Sequence, residues 1–246
     1  MSTGPRDRDR SLDERRRPLP FITVSIIVPT LDEEVGIREA LTAAIAVTPH
    51  EIIVVDGGSA DRTRALAEAC GCRVLDAPRS RAVQMNAGAR AASGDLLLFL
   101  HADTRLPPDA IPQMAHAMAD ERAVGGRFDV SIDGSEPLFR VIETLMNLRS
   151  RVTRVATGDQ AIFVRRRVFE ALGGFAPIPL MEDVQFCARL KRRGRVVCLR
   201  ARVRTSARRW RRHGIWRTMV RMWWLRGLYA AGVSPDRLAR WYAPVR

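Results

Sequence analysis

The sequence predicts an α/β fold with a doubly wound, mostly parallel central sheet. Short apolar runs alternate with helix-like stretches through the first half of the chain, which is typical of a sheet covered by helices. Each run is apolar throughout, as expected of strands buried on both faces. The length of 246 residues is near the upper limit for one hydrophobic core. One domain with an appendage is therefore favoured over two equal domains.

The predicted strands of the first half are rich in β-branched or large apolar residues and lie at 24–28, 51–55, 72–75 and 96–100. The helix-like stretches between them lie near 33–47, 61–70 and 80–92. The second of these begins on "SADRT", which is typical of a capped helix start. We therefore expect this half to form the parallel part of the sheet.

The second half of the chain has a less regular pattern. In chain order it predicts a helix near 108–120, strands near 124–132 and at 161–166, a helix at 182–194 and a strand at 195–203. Strands in this order add an antiparallel or mixed extension to a parallel sheet.

The excess of basic over acidic residues lies at the C-terminal end. The net charge is +14, yet residues 189–246 hold eighteen basic residues and one acidic residue, and the rest of the chain is slightly acidic. Nucleic acid, anionic lipid head groups and a phosphorylated ligand are all compatible with such a region. We predict a flexible, charged leader at 1–21, one domain at 22–212, and a basic, tryptophan-rich helical tail at 213–246.

Other features bear on where the protein acts. No stretch reaches about 18 uncharged apolar residues, so a membrane-spanning helix is not predicted. The N-terminus is charged where a signal peptide is apolar. Cys70, Cys72, Cys187 and Cys198 lack a paired spacing and are predicted to be reduced core residues. These features predict a cytoplasmic protein.

Acidic residues follow three of the predicted strands, where ligands bind in doubly wound sheets. Asp32, Glu33 and Glu34 follow the first strand, Asp56 the second and Asp103 the fourth. Each has a structural explanation by itself, as favourable charge in a first helical turn or as a turn-forming residue. Their occurrence in three corresponding places favours a binding site.

A metal ion or arginines would have to neutralise any phosphate bound at this site. Neither G-x-G-x-x-G nor G-x-x-x-x-G-K-[ST] follows a strand. His101 and Asp103 lie two residues apart in a segment expected to be extended, so both would face one side and Ala102 the other. Asp103 is the predicted ligand of Mg²⁺ or Mn²⁺. His101 is either a second ligand or a histidine hydrogen-bonded to backbone.

Four segments together resemble glycosyltransferase family 2: "VSIIVPTLDEE", "EIIVVDGGSADRT", "RAVQMNAGARAASGDLLLFLHADT" and "GGFAPIPLMEDVQFCARLKRRG". The resemblance runs from about Val24 to Trp210. It implies a GT-A fold with a Rossmann-like nucleotide-binding half and an acceptor-side half. It also implies inverting, metal-dependent transfer from a nucleotide-diphosphate sugar to an acceptor hydroxyl. The "HADT" form with "TSARRW" resembles the bacterial subgroup associated with radical-SAM and selenocysteine-related domains.

The resemblance implies roles for individual residues on the donor side. Contacts to the nucleoside, the diphosphate and the sugar are implied for Pro29, Thr30, Glu33, Asp56, Gly58, Arg81 and Asn86. The D-x-D metal motif of the family falls on His101, Ala102 and Asp103, so its first aspartate is replaced. This replacement leaves Asp103 as the implied metal ligand.

The resemblance also assigns the acceptor side. Asp183, paired with Glu182, is implied as the catalytic base, and the acceptor-side loop falls on Gly158, Asp159 and Gln160. Where processive relatives carry Q-x-x-R-W, the chain has serine in place of glutamine and ends the segment on Arg209 and Trp210. The loss of the glutamine implies a non-processive enzyme.

The tail at 214–232 mixes tryptophans with arginines and has two interpretations. It either packs on the domain with its arginines reaching water, or lies on an anionic membrane and brings the enzyme to a lipid-like acceptor. The second interpretation places the protein at the inner face of the cell membrane. No specific nucleic acid partner is predicted, because no nucleic-acid motif accompanies the charge.

Two other classes of function are alternatives to sugar transfer on the sequence alone. A nucleotidyltransferase needs a G-x-G-T-x-R-like loop after the first strand, where this chain has "PTLDEE". A non-catalytic module that binds membrane or nucleic acid needs neither acidic strand ends nor the pair Glu182 and Asp183. Sugar transfer is therefore the favoured function.

Overall fold

The computed structural model describes residues 22–242. The leader predicted at 1–21 and the end of the predicted tail, 243–246, lie outside the described residues. The strands are β1 (Val24–Thr30), β2 (Glu51–Asp56), β3 (Arg73–Asp76), β4 (Leu96–Phe99), β5 (Thr104–Arg105), β6 (Ala123–Asp133), β7 (Ile162–Arg165) and β8 (Arg195–Ser206). The α-helices are α1 (Ile37–Ala46), α2 (Thr63–Ala69), α3 (Arg81–Ala91), α4 (Ala110–Met118), α5 (Pro137–Thr153), α6 (Arg166–Ala171), α7 (Glu182–Leu190), α8 (Arg208–His213), α9 (Ile215–Ala230) and α10 (Pro235–Trp241).

One sheet with the order β3-β2-β1-β4-β7-β6-β8-β5 organises the described chain. The first four strands in this order are parallel. β7 is antiparallel to both of its neighbours, β6 and β8 are parallel, and β5 closes the edge antiparallel to β8. The predicted doubly wound, mostly parallel sheet with a mixed extension is confirmed.

The sheet separates two hydrophobic clusters. Ile26 and Val28 of β1 pack in one cluster, and Ile27 between them packs in the other. This alternation follows from the opposite directions of successive side chains in a strand. Because β1 and β4 are adjacent and parallel, their carboxyl ends lie together at one edge of the sheet.

Several predicted boundaries differ from the structure. The helix expected from residue 33 begins at Ile37, because residues 33–36 form a turn in which the backbone carbonyl of Glu33 accepts the N–H groups of Gly36 and Ile37. α5 was not predicted. Its buried face carries polar side chains: Glu143 accepts the N–H of Ile132 at 2.6 Å, and Asn147 pairs with the backbone of Val130.

The predicted tail helix is divided in the structure. Gly214, with a φ of +81°, separates α8 from α9. Leu225 of α9 and Leu238 of α10 are buried against Met181, so the tail packs on the domain. Trp216 and Trp223 nevertheless stay 62% and 55% exposed. Within residues 22–242, no helix has both the length and the apolar character that crossing a bilayer demands.

Candidate active site

A cavity of about 150 Å³ lies where β1 and β4 end, between the sheet edge, the first turn of α7 and the tail. It collects most of the side chains predicted for the site. The predicted residues that line it are Pro29, Glu33, Arg81, His101, Ala102, Asp103, Gly158, Asp159, Glu182, Asp183, Arg209 and Trp210. The predicted residues that do not line it are Thr30, Asp56, Gly58, Asn86 and Gln160.

Glu33 lies at the cavity wall with an arginine from the far end of the chain. Its carboxylate pairs with Arg208 at 2.5 Å, across 175 residues of sequence. Burial raises the pKa of Glu33, and the charge of Arg208 acts in the opposite direction. The family resemblance implied Arg209, and the sequence carries no signal for its neighbour Arg208.

Asp56 organises the loop that follows β2. Its buried carboxylate accepts the backbone N–H of Gly58 at 3.1 Å and both the N–H and the hydroxyl of Ser59. The Thr30 hydroxyl donates to it from β1 at 3.3 Å. Gly58 has a φ of +88°, a conformation that glycine adopts without strain. The role of Asp56 in binding a base stays a prediction.

Asn86 and Gln160 also hold loops. The Asn86 amide donates to the carbonyl of Phe175 at 2.8 Å and accepts the N–H of the same residue at 2.9 Å. The fully buried Gln160 donates to the Ser150 hydroxyl at 2.9 Å and accepts the N–H of Thr157. Both side chains therefore fix backbone next to the cavity rather than line it.

Residues 101–103 form a turn, which corrects the extended conformation expected from the sequence. The N–H of Thr104 donates to the carbonyl of His101 at 3.0 Å, because the chain must turn sharply to enter β5. His101 and Asp103 line the same cavity, and Ala102 touches it as well while packing in the hydrophobic cluster that contains Val28.

His101 is held by Asp159, a side chain from the 3-10 turn Gly158–Gln160. His101 Nδ1 lies 3.3 Å from Asp159 Oδ1. Burial acts to raise the pKa of Asp159, but the hydrogen bond from His101 and the nearby charges of Arg209 and Arg81 hold it below its ordinary value. The partner of the His101 ring is thus a carboxylate and not the backbone group that one interpretation of the sequence predicted.

The acidic pair at the start of α7 faces the cavity. Met181, with a φ of 68°, turns the chain into the helix so that Glu182 and Asp183 lie in its first turn. Asp183 Oδ2 accepts the N–H of Gly158 at 2.7 Å. Burial, and after it the charge of Asp183, raises the pKa of Glu182 above its ordinary value.

Two arginines face this acidic group. Arg81 Nη1 lies 3.5 Å from Glu182 Oε1. Burial acts to lower the pKa of Arg81, but the surrounding carboxylates raise it above its ordinary value, with Glu182 the strongest. Arg209 donates to the Tyr242 hydroxyl, and burial lowers its pKa. An anion that enters the cavity meets both guanidinium groups.

The possible metal ligands in the cavity fit a divalent cation only in part. Asp103 offers a carboxylate in the cavity, and His101 Nε2 is buried without a hydrogen-bond partner in the described chain. The Nδ1 contact with Asp159 is the arrangement that orients a ligating imidazole. His101 Nε2 is packed against Gly158, however. Within the described ranges, no three His, Cys, Asp or Glu side chains form a metal-binding group.

The residues that close the cavity from the tail have no signal in the sequence. Thr218, Met222, Arg226 and Tyr242 all line it. Their positions depend on the packing of α9 and α10, which no local pattern specifies. The four cysteines are free, as predicted, but of the four only Cys187 is buried, whereas Cys70, Cys72 and Cys198 are partly exposed.

A family model for Glycosyl transferase family 2 matches residues 25–175. The undecaprenyl-phosphate 4-deoxy-4-formamido-L-arabinose transferase of Pseudomonas aeruginosa is 30% identical over 173 residues, which are 63% of this chain and 51% of that protein. The Sodalis glossinidius protein of the same name is 28% identical over 171 residues, 63% of this chain and 52% of its own length. The chain spans about half the length of these curated relatives.

Solved structures share the fold. The TarS 1-349 structure of S. aureus has a TM-score of 0.63 and 19% identity, with 76% of this chain and 61% of that chain covered. The glucosyl-3-phosphoglycerate synthase of Mycobacterium tuberculosis, in complex with Mn²⁺, UDP and glucosyl-3-phosphoglycerate, has a TM-score of 0.57 and 22% identity. The alignment with this enzyme covers 82% of this chain and 77% of that chain.

Proposed function

Because the chain belongs to glycosyltransferase family 2 and is a glycosyltransferase, we propose that it moves a sugar from a nucleotide-diphosphate sugar to an acceptor hydroxyl with inversion at the anomeric carbon. One observation carries this proposal. The cavity at the ends of β1 and β4 combines two arginines, Arg81 and Arg209, with the acidic pair Glu182 and Asp183. The first pair suits a diphosphate, and the second suits an acceptor that must lose a proton.

Asp183 is the proposed base. As the acceptor oxygen forms its bond to the anomeric carbon, its proton passes to the Asp183 carboxylate and the bond from that carbon to the diphosphate oxygen breaks. The electron pair leaves with the nucleoside diphosphate. The hydrogen bond from Gly158 fixes the orientation of this carboxylate. Attack from the face opposite the leaving group inverts the anomeric centre.

Arg81 and Arg209 stabilise the charge that develops on the departing diphosphate. Both guanidinium groups are held before the donor arrives, Arg81 by Glu182 and Arg209 by Tyr242. Prior placement reduces the reorganisation required during the reaction. On the nucleoside side, Glu33 and the loop held by Asp56 are the proposed contacts.

Asp103 and His101 are the residues that would hold Mn²⁺ or Mg²⁺. A divalent ion in this place supplies charge neutralisation for the diphosphate. The mycobacterial synthase is described as a complex with Mn²⁺ and UDP, which supports a metal with a nucleotide donor in this fold. The replaced aspartate at position 101 leaves one carboxylate rather than two in the motif.

The acceptor is proposed to be lipid-like and the transfer non-processive. The matched relatives are named for undecaprenyl phosphate, which supports a lipid-like acceptor. The exposed tryptophans of α9 support peripheral contact with the inner face of the membrane.

The serine in place of the glutamine of processive relatives supports a single transfer. Membership of the radical-SAM-associated subgroup is proposed on "HADT" and "TSARRW" alone.

A donor panel tests this function. The full chain is incubated with UDP-, GDP- and dTDP-sugars and Mn²⁺, with water as the acceptor, and release of nucleoside diphosphate is measured. We expect release from one class of donor, and NMR of the fresh product to show an inverted anomeric centre. Release of pyrophosphate from a nucleoside triphosphate and a sugar phosphate, without turnover of any nucleotide sugar, would indicate a nucleotidyltransferase instead.

A further inference from the structure

A second, larger cavity lies beside the candidate active site. It is a groove of about 570 Å³ between α5 and α9, and most of its walls are apolar. Its volume is in the range of small-molecule sites, which are lined mainly by apolar side chains with a few polar groups. No sequence pattern predicted this groove, because α5 itself was not predicted.

The groove is continuous with the candidate active site. Thr157, Asp159, Trp210, Met222 and Arg226 line both cavities. A ligand that lies in the groove therefore reaches the active-site cavity along these shared residues. This continuity connects the groove with the acceptor side of the reaction.

Two arginines line the groove, one from each of its two helices. Arg149 of α5 and Arg226 of α9 both line it, and Nη1 of Arg149 is buried without a hydrogen-bond partner among residues 22–242. Burial, and after it the charge of Arg226, lowers the pKa of Arg149 to about 10. Two half-buried cations with an unused donor form a site that an anion would stabilise.

The outer walls of the groove are apolar and open to solvent. Leu148 and Val152 of α5 line it with 56% and 75% of their surface exposed, and Trp223 of α9 faces them. Large exposed apolar side chains on both walls indicate an apolar ligand or a membrane. Arg226 lines both the groove and the active-site cavity, whereas Leu148, Val152 and Trp223 line the groove alone, so the groove combines apolar walls with cationic groups next to the active site.

We propose that this groove binds a membrane lipid acceptor, with its apolar chain between α5 and α9 and its phosphate between Arg149 and Arg226. The head group beyond the phosphate carries the accepting hydroxyl to Asp183. This inference rests on the proposed function, since it assigns the acceptor of the same site. Charge complementarity and continuity with the active-site cavity are the observations that support it.

Binding of farnesyl phosphate below its critical micelle concentration tests the inference. Trp210 and Trp223 line the groove, so intrinsic fluorescence of the full chain reports occupancy. We expect saturable binding of farnesyl phosphate, and at least about tenfold weaker binding of farnesol and of inorganic phosphate, because each probe keeps only one half of the interaction. Equal binding of farnesol and farnesyl phosphate would overturn the phosphate assignment.

Matched variants locate the site. Val152 lines the groove and Val141, on the same helix and 52% exposed, does not. Val152→Glu should weaken farnesyl phosphate binding about tenfold or more, because burial of a carboxylate against the apolar chain of the ligand is unfavourable. The Val141→Glu control should bind farnesyl phosphate as the wild type does. Arg226→Gln should reduce the preference for farnesyl phosphate over farnesol, and Arg221→Gln should not. Equal effects within either pair would overturn the proposal.

Two further measurements separate this inference from the proposed function. If nucleotide-sugar turnover persists while farnesyl phosphate fails to bind, the groove assignment alone is wrong. If turnover is absent with every donor, the proposed function fails whatever the groove binds. Binding to vesicles of phosphatidylglycerol without binding of monomeric farnesyl phosphate would make the groove walls a membrane contact and overturn the acceptor site.

Discussion

Asp183 Oδ2 accepts the backbone N–H of Gly158 at 2.7 Å, and this bond joins the first turn of α7 to the 3-10 turn that carries Asp159. The contact connects the proposed base with the side chain that holds His101. The residues proposed for the acceptor side and those proposed for the metal side are therefore linked through two neighbouring positions of one turn. A change in this turn should disturb both sides of the site.

Substitution of Asp183 tests its role as base. Asp183→Asn keeps the size of the side chain but removes the proton acceptor, so we expect sugar transfer to fall by about 10²- to 10⁴-fold with donor binding retained. Steady-state release of nucleoside diphosphate and a thermal shift with the donor measure the two quantities. Asp76→Asn is the control, because that carboxylate is 74% exposed. Transfer at the wild-type rate in Asp183→Asn would exclude the base.

A methyl group at position 158 should displace His101. A Cβ there would lie 2.3 Å from His101 Nε2, closer than real contacts allow. Gly158→Ala should thus separate His101 from Asp159 and lower transfer, with the circular dichroism spectrum unchanged. Gly227→Ala in α9 meets open space and should be neutral or stabilising by up to about 1 kcal/mol. Full activity in Gly158→Ala would contradict the described packing.

Removal of the Asn86 amide should reduce stability. Asn86→Ala leaves the N–H and the carbonyl of Phe175 without their partner, at a cost of about 1–3 kcal/mol in the free energy of unfolding. Asn86→Asp keeps the acceptor for the Phe175 N–H but places a carboxylate oxygen against the Phe175 carbonyl, so it should also reduce stability. Urea denaturation measures both, with the exposed Glu121→Ala as control. A denaturation midpoint equal to the wild type in Asn86→Ala would show that this loop contact is not formed.

The raised pKa of Glu182 makes stability depend on pH. Its folded pKa lies above the unfolded value because of burial and then of the charge of Asp183. The wild type therefore loses stability as pH rises from the ordinary glutamate pKa to the folded one, and the loss persists above it. Glu182→Gln should be more stable than the wild type at neutral pH, with the difference vanishing in acid. A pH-independent difference would contradict the shift.

Much of the fold follows from the sequence. β1, β2 and β4 are apolar on both faces, and their predicted ends lie within two residues of the observed ones. The sequence did not predict α5, because its buried face carries the polar residues Glu143 and Asn147 where an apolar stripe is expected. Both side chains accept backbone N–H groups of β6. Local periodicity carries no information about such partners.

The site was predictable as a region but not in its contacts. The predicted strand ends and the family resemblance together identified most of the residues that line the cavity. The pairing of Glu33 with Arg208 spans 175 residues, and that of Asn86 with Phe175 spans 89, so neither has a local signal. The two-residue spacing of His101 and Asp103 predicts extended backbone, whereas entry into β5 requires a turn at 101–103, which the spacing alone does not indicate.

The carboxylates and arginines of this cavity are proposed to bind a nucleoside diphosphate together with a divalent ion. The most direct test is a thermal shift with UDP, GDP and dTDP, with and without Mn²⁺, on the wild type and on Asp103→Asn. At about 100 times the dissociation constant, a bound nucleotide should raise the melting temperature of a chain of this size by about 5 °C or more. We expect such a shift for one nucleotide with Mn²⁺ in the wild type, reduced in Asp103→Asn. No shift with any nucleotide in the presence of Mn²⁺ would contradict the account.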